Sequence, residues 1–566
     1  MFVKITASGP RRYVQLVESY RDEAGRVRKR TVATLGRLDQ LEGELDSVID
    51  GLMKVAGREP ASGAGAAPSI SFESARALGD VWALTELWTS LGFSELRRVF
   101  RRTRHGIDVE ALIRVMVLNR LCDPESKLGV LRWLQTVALP RVDVKAITHQ
   151  QLLRAMDALV DHADAVDAVV ANLLRPMIDQ DLSVVFYDLT TIRTEGASES
   201  QGDVRHFGMS KEGVIARQFM LGVVQTAEGL PIHHEVFDGN VAETTTLVPT
   251  LKAVLQRFPG VRRLILVADR GLLSLNNLNE LGAIRLADDR ALEFILAVPG
   301  RRYAEFADVL APFHQARCEM ADAEVIGELG WKDLRLVVAH DPEQAALQTQ
   351  RRDEQIAALV KQADQWAGKL DGQDAGQRHR GRKLSDSGAK ARFFHAVAEA
   401  HLSQIIRVNL KTELFSYDID ERALGLARLM DGKLLLVTNA PDLEAAQAVE
   451  RYKSLADIER GFRVLKSELE IGPVFHRLAQ RIRAHAAICF MALILHRVMR
   501  WRLKAANSAC SPERALQTLR RIQHHRVRLN GAEPVAGVSS IDSTQSELLG
   551  ALRVPRPAVG EQLALL

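Results

Sequence analysis

The 566-residue chain is poor in cysteine, in aromatic residues and in excess charge of either sign. Its four cysteines are far apart in sequence and form no CxxC pair, which argues against a zinc site or a disulfide framework and favours a reducing compartment. The net charge is only +4, so the overall composition is weak evidence for a nucleic-acid partner. Any such partner must be inferred from local clusters of basic residues.

Long apolar runs are also absent. The longest, AAICFMALIL at residues 486–495, is about half of what a membrane span needs. The first residues, MFVKITASGPRRYVQ, lack the apolar core of a signal peptide. Hydrophobic content of 47% and charged content of 26% are ordinary for globular proteins, and the length predicts several domains. We therefore expect a soluble cytoplasmic protein with no membrane partner.

The alternating pattern of residues 1–37 predicts a β-hairpin that turns at Glu23-Ala24-Gly25. This segment carries nine basic side chains and only three acidic ones. The basic side chains could simply form a solvated face. Alternatively they contact phosphates, since a basic two-stranded ribbon fits a DNA groove.

The next segments predict a linker and then a helical domain. Residues 61–69 (ASGAGAAPS) have the composition of a flexible linker. Residues 73–180 show helical periodicity almost throughout, with a break at Cys122-Asp123-Pro124.

From residue 183 the pattern predicts strand, strand, strand, helix, strand, helix, strand. A three-stranded meander continued by helix–strand units is the ribonuclease-H-like α/β arrangement. That arrangement needs a closing helix, which the segment around Glu459 can supply. The intervening residues, about 300–440, are too numerous for a loop and predict an inserted domain.

These observations predict seven consecutive parts. They are an N-terminal basic β-hairpin with a short helix (1–60), a linker (61–72), a helical domain expected to bind DNA (73–180), the first part of a ribonuclease-H-like core (181–300), a mixed α+β insertion (301–440), closing helices with a third acid (441–505), and a C-terminal tail for DNA or dimer contacts (506–566).

Three carboxylates are candidates for a metal site. Asp188 follows the apolar run VVFY and Asp269 ends RRLILVAD, and the carboxyl ends of strands are where α/β sheets form ligand sites. Tyr452, Glu459 and Lys466 recur at intervals of seven and therefore share one helix face. Three carboxylates on separate elements can hold two Mg²⁺ ions for phosphoryl transfer. Each acid alone could instead be a turn former, a helix cap or a solvated side chain.

Several segments of the chain resemble those of a DDE transposase. They are FYDLTT, HFGMSKEG, GLPIHHEVFDGN, ADRGLLS and YKSLADIERGFRVLK. The resemblance extends from the N-terminal hairpin to about residue 505. More specifically, these segments resemble the bacterial insertion-sequence group whose third acid lies in a Tyr-Arg-Glu-Lys signature. It implies a ribonuclease-H-like core with an insertion before the third acid. It also implies cut-and-paste or similar DNA strand transfer without a covalent enzyme–DNA intermediate.

One signature position departs from the pattern of that group. The four positions are Tyr452, Leu455, Glu459 and Lys466. Leu455 thus replaces the expected arginine, and leucine cannot replace its contact with phosphate. Arg463 or Arg460 could compensate for the missing cation.

Several basic and polar residues are candidates for contacts with DNA. Lys466 is expected to bind phosphate as a point charge, and Tyr452 to donate a hydrogen bond to the DNA backbone. Arg463 would add a cation, Arg270 would orient Asp269 or reach phosphate, and Lys211 lies in a glycine-flanked loop that could approach DNA or be a plain turn. The basic face of the late helix would offer Arg477, Arg481 and Arg483 to DNA.

The predicted function is cleavage of double-stranded DNA at the ends of the protein's own insertion element, followed by attack of the freed 3′-hydroxyl on target DNA. Two Mg²⁺ ions, replaceable by Mn²⁺, and a homodimer on DNA are expected. Two alternatives stay open. One is an inactive DNA-binding relative, which Leu455 favours. The other is a stand-alone ribonuclease-H-like nuclease, which would need neither the hairpin nor the insertion.

Overall fold

The computed structural model describes most of the 566 residues. The described ranges are 1–23, 25–41, 45–58, 70–101, 106–178, 184–196, 202–210, 213–269, 275–286, 288–376, 383–455, 461–530 and 532–557. By internal contacts the chain divides into two compact units. The smaller contains residues 1–75 and 524–538, and the larger contains residues 76–523 and 539–558.

The smaller unit begins with a three-stranded antiparallel sheet in the order β1-β2-β3. Its strands are β1 (Phe2–Ser8), β2 (Arg11–Arg21) and β3 (Val27–Arg37). The predicted hairpin is β2–β3, closed by a hydrogen bond from the Asp22 N–H to the Arg26 carbonyl. Gly25 in this turn has φ of 74°, a backbone conformation that glycine adopts without strain. The structure adds β1, while Ala24 lies outside the described residues.

Two short helices and a second sheet complete the smaller unit. The helices are α1 (Leu38–Leu41) and α2 (Leu45–Val55). The second sheet has the order β17-β16-β4, with β4 (Ile70–Ala77), β16 (Gln523–Leu529) and β17 (Val535–Val538). Residues 70–72, which composition assigns to the linker, therefore belong to a strand. The rest of the expected linker, 61–69, lies outside the described residues.

The larger unit opens with the helical region that periodicity predicts. Its helices are α3 (Gly79–Leu91), α4 (Leu96–Phe100), α5 (Val109–Cys122), α6 (Gly129–Trp133), α7 (His149–Asp161) and α8 (Ala163–Leu174). Asp108 caps the start of α5 through its side chain, and the helix ends at the predicted break. Thr148 and Gln151 form a capping box at the start of α7.

The centre of the larger unit is a mixed β-sheet. Its first elements are β5 (Val185–Arg193), β6 (His206–Met209), β7 (Ile215–Thr226), β8 (Pro231–Asp238), α9 (Leu247–Arg257), β9 (Ile265–Ala268), α10 (Leu275–Ala283) and β10 (Glu293–Ala297). Five strands run in the order β8-β7-β5-β9-β10. Strand β7 pairs antiparallel with both β5 and β8. Strands β9 and β10 run parallel to β5. This is the ribonuclease-H-like arrangement, and β6 is an additional short strand on β7.

The insertion is less separate from the core than its length predicts. It contains α11 (Ala307–Phe313), β11 (Val325–Trp331), β12 (Leu334–His340), α12 (Pro342–Asp374), α13 (Asp386–Glu399), β13 (Ile406–Val408), β14 (Tyr417–Ile419), α14 (Glu421–Met430) and β15 (Lys433–Thr438). Strand β15 pairs with β10, and β12 and β11 follow. These three strands extend the central sheet, which contains nine of the described strands.

Only the middle of the insertion has a hydrophobic core of its own. Helices α12, α13 and α14 and the β13–β14 hairpin enclose a cluster centred on Phe393, which contacts the rings of Phe415 and Tyr417. The segment between β12 and β15 thus forms a projecting helical body. The strands at the two ends of the insertion, β11 and β12 on one side and β15 on the other, belong to the central sheet.

After the insertion come α15 (Ala445–Lys453), α16 (Ala479–Ala505), α17 (Pro512–Leu519) and α18 (Ser543–Ala551). Helix α15 packs on one face of the sheet, and α16 packs against α5 and α7. Helix α16 is long and apolar enough to cross a membrane, but 89% of its most apolar window is buried inside the protein. It is a core helix that joins the helical region to the ribonuclease-H-like core.

Candidate active site

Asp188 and Asp269 are neighbours across two parallel strands. In the pairing of β5 with β9, Tyr187 lies opposite Ala268. The next residues, Asp188 and Asp269, therefore lie side by side, one strand spacing of roughly 4.8 Å apart. The structure thus brings together two of the three acids that the sequence singles out.

The two aspartates point to the face of the sheet that α15 covers. Side chains alternate along a strand, so Asp188 shares its face with Phe186, two residues earlier. Phe186 and Val267 belong to one buried cluster with residues of α15. Asp188 is itself buried, at 8% exposure, and its Oδ1 accepts a 2.7 Å hydrogen bond from the N–H of Leu189. This bond restricts the orientation of the carboxylate.

Tyr452, at the end of α15, reaches the second acid directly. Its hydroxyl donates a 3.1 Å hydrogen bond to Oδ1 of Asp269. Its ring packs against the same buried cluster that contains Phe186 and Val267. The sequence predicts that this tyrosine contacts the DNA backbone. The structure shows its hydroxyl bonded to a carboxylate, which restricts the orientation of Asp269. The contact with DNA stays a prediction.

Leu455, in the position of the signature arginine, lies in the hydrophobic core. Its exposure is 5%, and it belongs to the cluster formed by Phe186, Val267 and the apolar face of α15. The sequence signal was available, because Ala448, Tyr452 and Leu455 follow helical spacing on one face. Leucine therefore contributes packing at this position, and its side chain does not take the place of a cation exposed to DNA.

The other predicted site residues fall into two groups. Lys466 is half-buried in a π-helical turn (Val464–Glu468), and the side chain of Arg463 just before it is exposed. Glu459, Arg270 and Lys211 lie outside the described residues.

The chain on both sides of Glu459 is closely packed. Four residues before it, Leu455 is held in the cluster beneath the two aspartates. Two residues after it, Gly461 lies against two buried side chains, since a Cβ there would lie 2.8 Å from Nη2 of Arg497 and 3.0 Å from the amide of Gln225. Both flanks are therefore anchored to the core.

The pair of aspartates suits a hard divalent cation. Both ligands are carboxylate oxygens, and Mg²⁺ and Mn²⁺ prefer oxygen donors. Within the described ranges, two further groups bring three metal-ligating atoms within 4.8 Å of one another. They are His314, Cys318 and His340, and Glu468, His496 and Glu513.

In both further groups the candidate ligand atoms already have a hydrogen-bond partner inside the protein. The ammonium of Lys433 lies 3.0 Å from Nδ1 of His314. In the second group, Nε2 of His496 is 2.7 Å from Glu513 and 3.1 Å from Glu468. We interpret both groups as internal hydrogen-bonded clusters.

The basic face of the late helix is only partly available. Arg481 makes a two-pronged ion pair with Asp157 of α7, with N–O distances of 2.9 and 3.0 Å. Arg481 is therefore already paired within the protein, and its contact with DNA stays a prediction. Arg477 and Arg483 are exposed.

A central sheet in this strand order, with one aspartate on β5 and another directly after β9, defines a ribonuclease-H-like enzyme of the nuclease and transposase class. Two family models match the chain. "Transposase DDE domain" matches residues 179–495, more than half of the chain, and "IS1634 family transposase, N-terminal domain" matches residues 3–64. The chain belongs to the DDE transposase family of bacterial insertion sequences. A search among curated proteins gave no significant match.

Membership of this family has direct consequences. The protein is a transposase that acts on DNA and depends on a divalent metal ion. The match to the N-terminal model covers the sheet β1–β3 and the helices that follow it. The match to the DDE model spans the core, the insertion and most of α16, so the insertion is part of the transposase domain.

Proposed function

We propose that this transposase cuts DNA at the ends of its own insertion element and joins the freed 3′-ends to target DNA. The observation that carries the proposal is the placement of Asp188 beside Asp269, with the second carboxylate held by Tyr452. Two adjacent carboxylates on rigid strands, one of them oriented by a third residue, are what a metal-dependent phosphoryl-transfer site requires.

Asp188, Asp269 and Glu459 would hold two Mg²⁺ ions, for which Mn²⁺ would substitute. Such ions, when bound, lower the barrier for the attacking oxygen and stabilise the leaving oxygen. The anchoring of Leu455 and Gly461 to the core supports Glu459 as the third acid, because both flanks of its segment have fixed positions.

The reaction has two displacements at phosphorus. Water first attacks the phosphodiester at the element end and leaves a 3′-hydroxyl on the element. That hydroxyl then attacks a phosphodiester of target DNA, forms a new phosphodiester bond and displaces a 3′-hydroxyl of the target. The protein contributes mainly positioning and charge neutralisation.

The basic residues near the acids would hold the phosphates. Lys466 and Arg463 follow the proposed third acid in the sequence, and Arg270 and Lys211 follow β9 and β6 in the sequence. Exposed Arg463 is well suited to contact the DNA backbone. Because two element ends must be processed together, we propose a homodimer on DNA. We place the protein in the cytoplasm, on the nucleoid.

The inactive relative loses its main support. That alternative rested on Leu455 as a lost phosphate contact, whereas the leucine side chain packs under the two aspartates. A stand-alone nuclease is disfavoured by the match of the N-terminal region to an insertion-sequence transposase model.

The test uses double-stranded DNA that carries the sequences flanking the gene, including any terminal inverted repeats. Strand cleavage and joining are measured with Mg²⁺ or Mn²⁺ for the wild type, Asp188→Asn, Asp269→Asn and Glu459→Gln. Exposed Glu450 on α15 provides a matched control, Glu450→Gln. We expect metal-dependent cleavage at the element boundary that only the three site variants abolish.

Two results would contradict the proposal. Tight binding to the ends without cleavage in any protein would identify an inactive, DNA-binding relative. Cleavage that ignores the end sequence and never joins a 3′-end to target DNA would identify a nuclease.

A further inference from the structure

A cavity of about 750 Å³ lies in the larger unit, apart from the two aspartates. Its volume is within the roughly 300–1,000 Å³ typical of small-molecule sites. The wall is formed by the end of α5, the segment 124–128 before α6, the start of α7, the segment 470–478 and the first turns of α16. That segment is hydrogen-bonded to the end of β5, since the N–H of Val474 donates to the Arg193 carbonyl at 3.0 Å. The cavity is thus attached to the strand that carries Asp188.

Two buried cations line the cavity. Lys127 is 5% exposed, and no hydrogen bond or ion pair of its ammonium is found among the described residues. Arg120 is 4% exposed and donates to the backbone carbonyls of Leu469, Glu470 and Glu125, yet its Nε has no partner there. Buried cations are normally paired with an anion, so an anionic ligand could bind beside Lys127 and Arg120.

The lining is positive overall. Arg477 and Arg481 add to Lys127 and Arg120, although Arg481 is already paired with Asp157. Three histidines, His149, His476 and His485, also line the cavity. Two carboxylates also line the wall, but Glu125 lies 3.5 Å from Arg132 of α6 and Glu470 is exposed. In the lining the four Lys and Arg side chains therefore outnumber the two carboxylates.

The titration of the lining groups agrees with this excess of positive charge. Burial, followed by the charge of Lys127, lowers the pKa of His476 to about 4. Burial, followed by the charge of Arg120, lowers the pKa of Lys127 itself to about 7. An anion bound in the cavity would raise the pKa values of both His476 and Lys127.

The entrance differs in character from the interior. Phe475, Leu128 and Leu478 line the cavity and are exposed to 68%, 57% and 46%. Exposed aromatic and aliphatic side chains beside buried cations match an amphipathic ligand with an anionic group at one end. A nucleotide has this form, because its base stacks on aromatic rings and its phosphate binds cations.

We propose that this cavity binds a nucleotide unit, with its phosphate on Lys127 and Arg120 and its base against Phe475. The site is separate from the cleavage reaction proposed above and does not depend on it. The nucleotide is either a free one or part of a DNA strand, and these sources share the same phosphate and base chemistry.

The test measures binding to the full-length protein in EDTA, so that the cleavage reaction cannot contribute. The probes are inorganic phosphate, deoxyadenosine monophosphate and a fluorescent single-stranded oligodeoxynucleotide, followed by calorimetry or anisotropy. The variants are Lys127→Met and Phe475→Ala, with Lys252→Met at an exposed position of α9 as the matched control. Thermal unfolding of each variant is measured in parallel.

We expect Lys127→Met to weaken the binding of every probe that the wild-type protein binds by about tenfold or more. Phe475→Ala should weaken the nucleotide and the oligonucleotide but leave phosphate unchanged, since only the base would contact the ring. Lys252→Met should change nothing. Lys127→Met should not lower the melting temperature, because it removes an uncompensated buried charge.

The pattern among probes identifies the source. Loss of both mononucleotide and oligonucleotide binding indicates a DNA strand, and loss of the mononucleotide alone indicates a free nucleotide. The proposal is overturned if no probe depends on Lys127 or Phe475. It is also overturned if Lys127→Met unfolds the protein while Phe475→Ala binds every probe like the wild type.

Discussion

The hydroxyl of Tyr452 donates a 3.1 Å hydrogen bond to Oδ1 of Asp269. This bond joins α15 to the end of β9 and leaves one carboxylate oxygen of Asp269 for other ligands. The tyrosine ring packs beside Leu455 in the cluster beneath the acids. One helix therefore packs against the sheet below the two aspartates and restricts the orientation of Asp269, a proposed metal ligand.

The first prediction concerns this hydrogen bond. Tyr452→Phe keeps the ring packing and removes the hydroxyl, so we expect stability to change by no more than about 1.5 kcal/mol. Loss of a residue that orients a metal ligand typically costs about 10- to 100-fold in activity or metal affinity. The measurement is the cleavage rate as a function of Mg²⁺ concentration.

A matched control is Tyr303→Phe, which removes a hydroxyl bonded to the Lys433 carbonyl in the insertion. This control should cleave like the wild type. Equal rates for Tyr452→Phe and the wild type at every Mg²⁺ concentration would show that the bond has no role in catalysis.

The second prediction concerns the signature position. Leu455→Arg places a guanidinium in the core at a site that is 5% exposed. We expect a loss of unfolding free energy on the order of 3 kcal/mol or more, without a gain in cleavage. Chemical denaturation measures the stability, and Leu455→Met should lose less than about 1.5 kcal/mol. A stable, faster Leu455→Arg variant would instead indicate that this position faces DNA.

The third prediction concerns Gly461, two residues after Glu459. In Gly461→Ala the new methyl group would meet Arg497 and Gln225, both of which are buried. Overpacking of this kind typically costs about 1–3 kcal/mol. Because the strain arises two residues from Glu459, the proposed third acid, we expect the cleavage rate to fall by more than the loss of folded protein explains. Gly260→Ala, where a Cβ meets nothing within 4 Å, is the control.

The fourth prediction concerns a buried ion network beside β6. Asp203 forms ion pairs with Arg205 at 2.7 Å and Arg217 at 3.1 Å, and all three side chains are at most 8% exposed. Asp203→Asn leaves both guanidinium groups without their carboxylate. We expect a loss of about 3–5 kcal/mol at pH 7.

The same network sets a pH dependence. Burial raises the pKa of Asp203, but the hydrogen bonds and charge of Arg205 outweigh this and lower it to about 2. The folded pKa is below the unfolded value of about 3.9, so the stabilisation is complete above pH 4 and is lost as pH falls toward 2. Denaturation of the wild type and Asp203→Asn should therefore differ most near pH 7 and converge at low pH. A constant difference would contradict the assignment.

Much of the fold is predictable because local patterns carry it. The alternation in residues 11–37 reflects a two-faced strand pair, and the continuous apolar run before Asp269 reflects a strand buried on both faces. These runs placed both aspartates at their strands and predicted the order of the core. The alternation does not show β1 as a separate strand, since its break from β2 is only two residues long.

Long-range pairing was not predictable in the same way. Lys433–Thr438 reads as a strand, yet nothing local indicates that it pairs with β10 across more than 130 residues of chain. The same holds for Arg481, whose partner Asp157 lies 324 residues away. Such contacts depend on which surfaces meet once the sheet and helices have formed.

The chain's periodicity, turns and acid spacing were sufficient to place most of its strands and helices and to indicate its chemistry, because these depend on neighbours within a few residues. The folded structure added the hydrogen bond from Tyr452 to Asp269, the burial of Leu455 and the cationic cavity around Lys127. Each depends on side chains that are distant in sequence and meet only when the core is packed. Burial and charge compensation are therefore properties of the assembled fold.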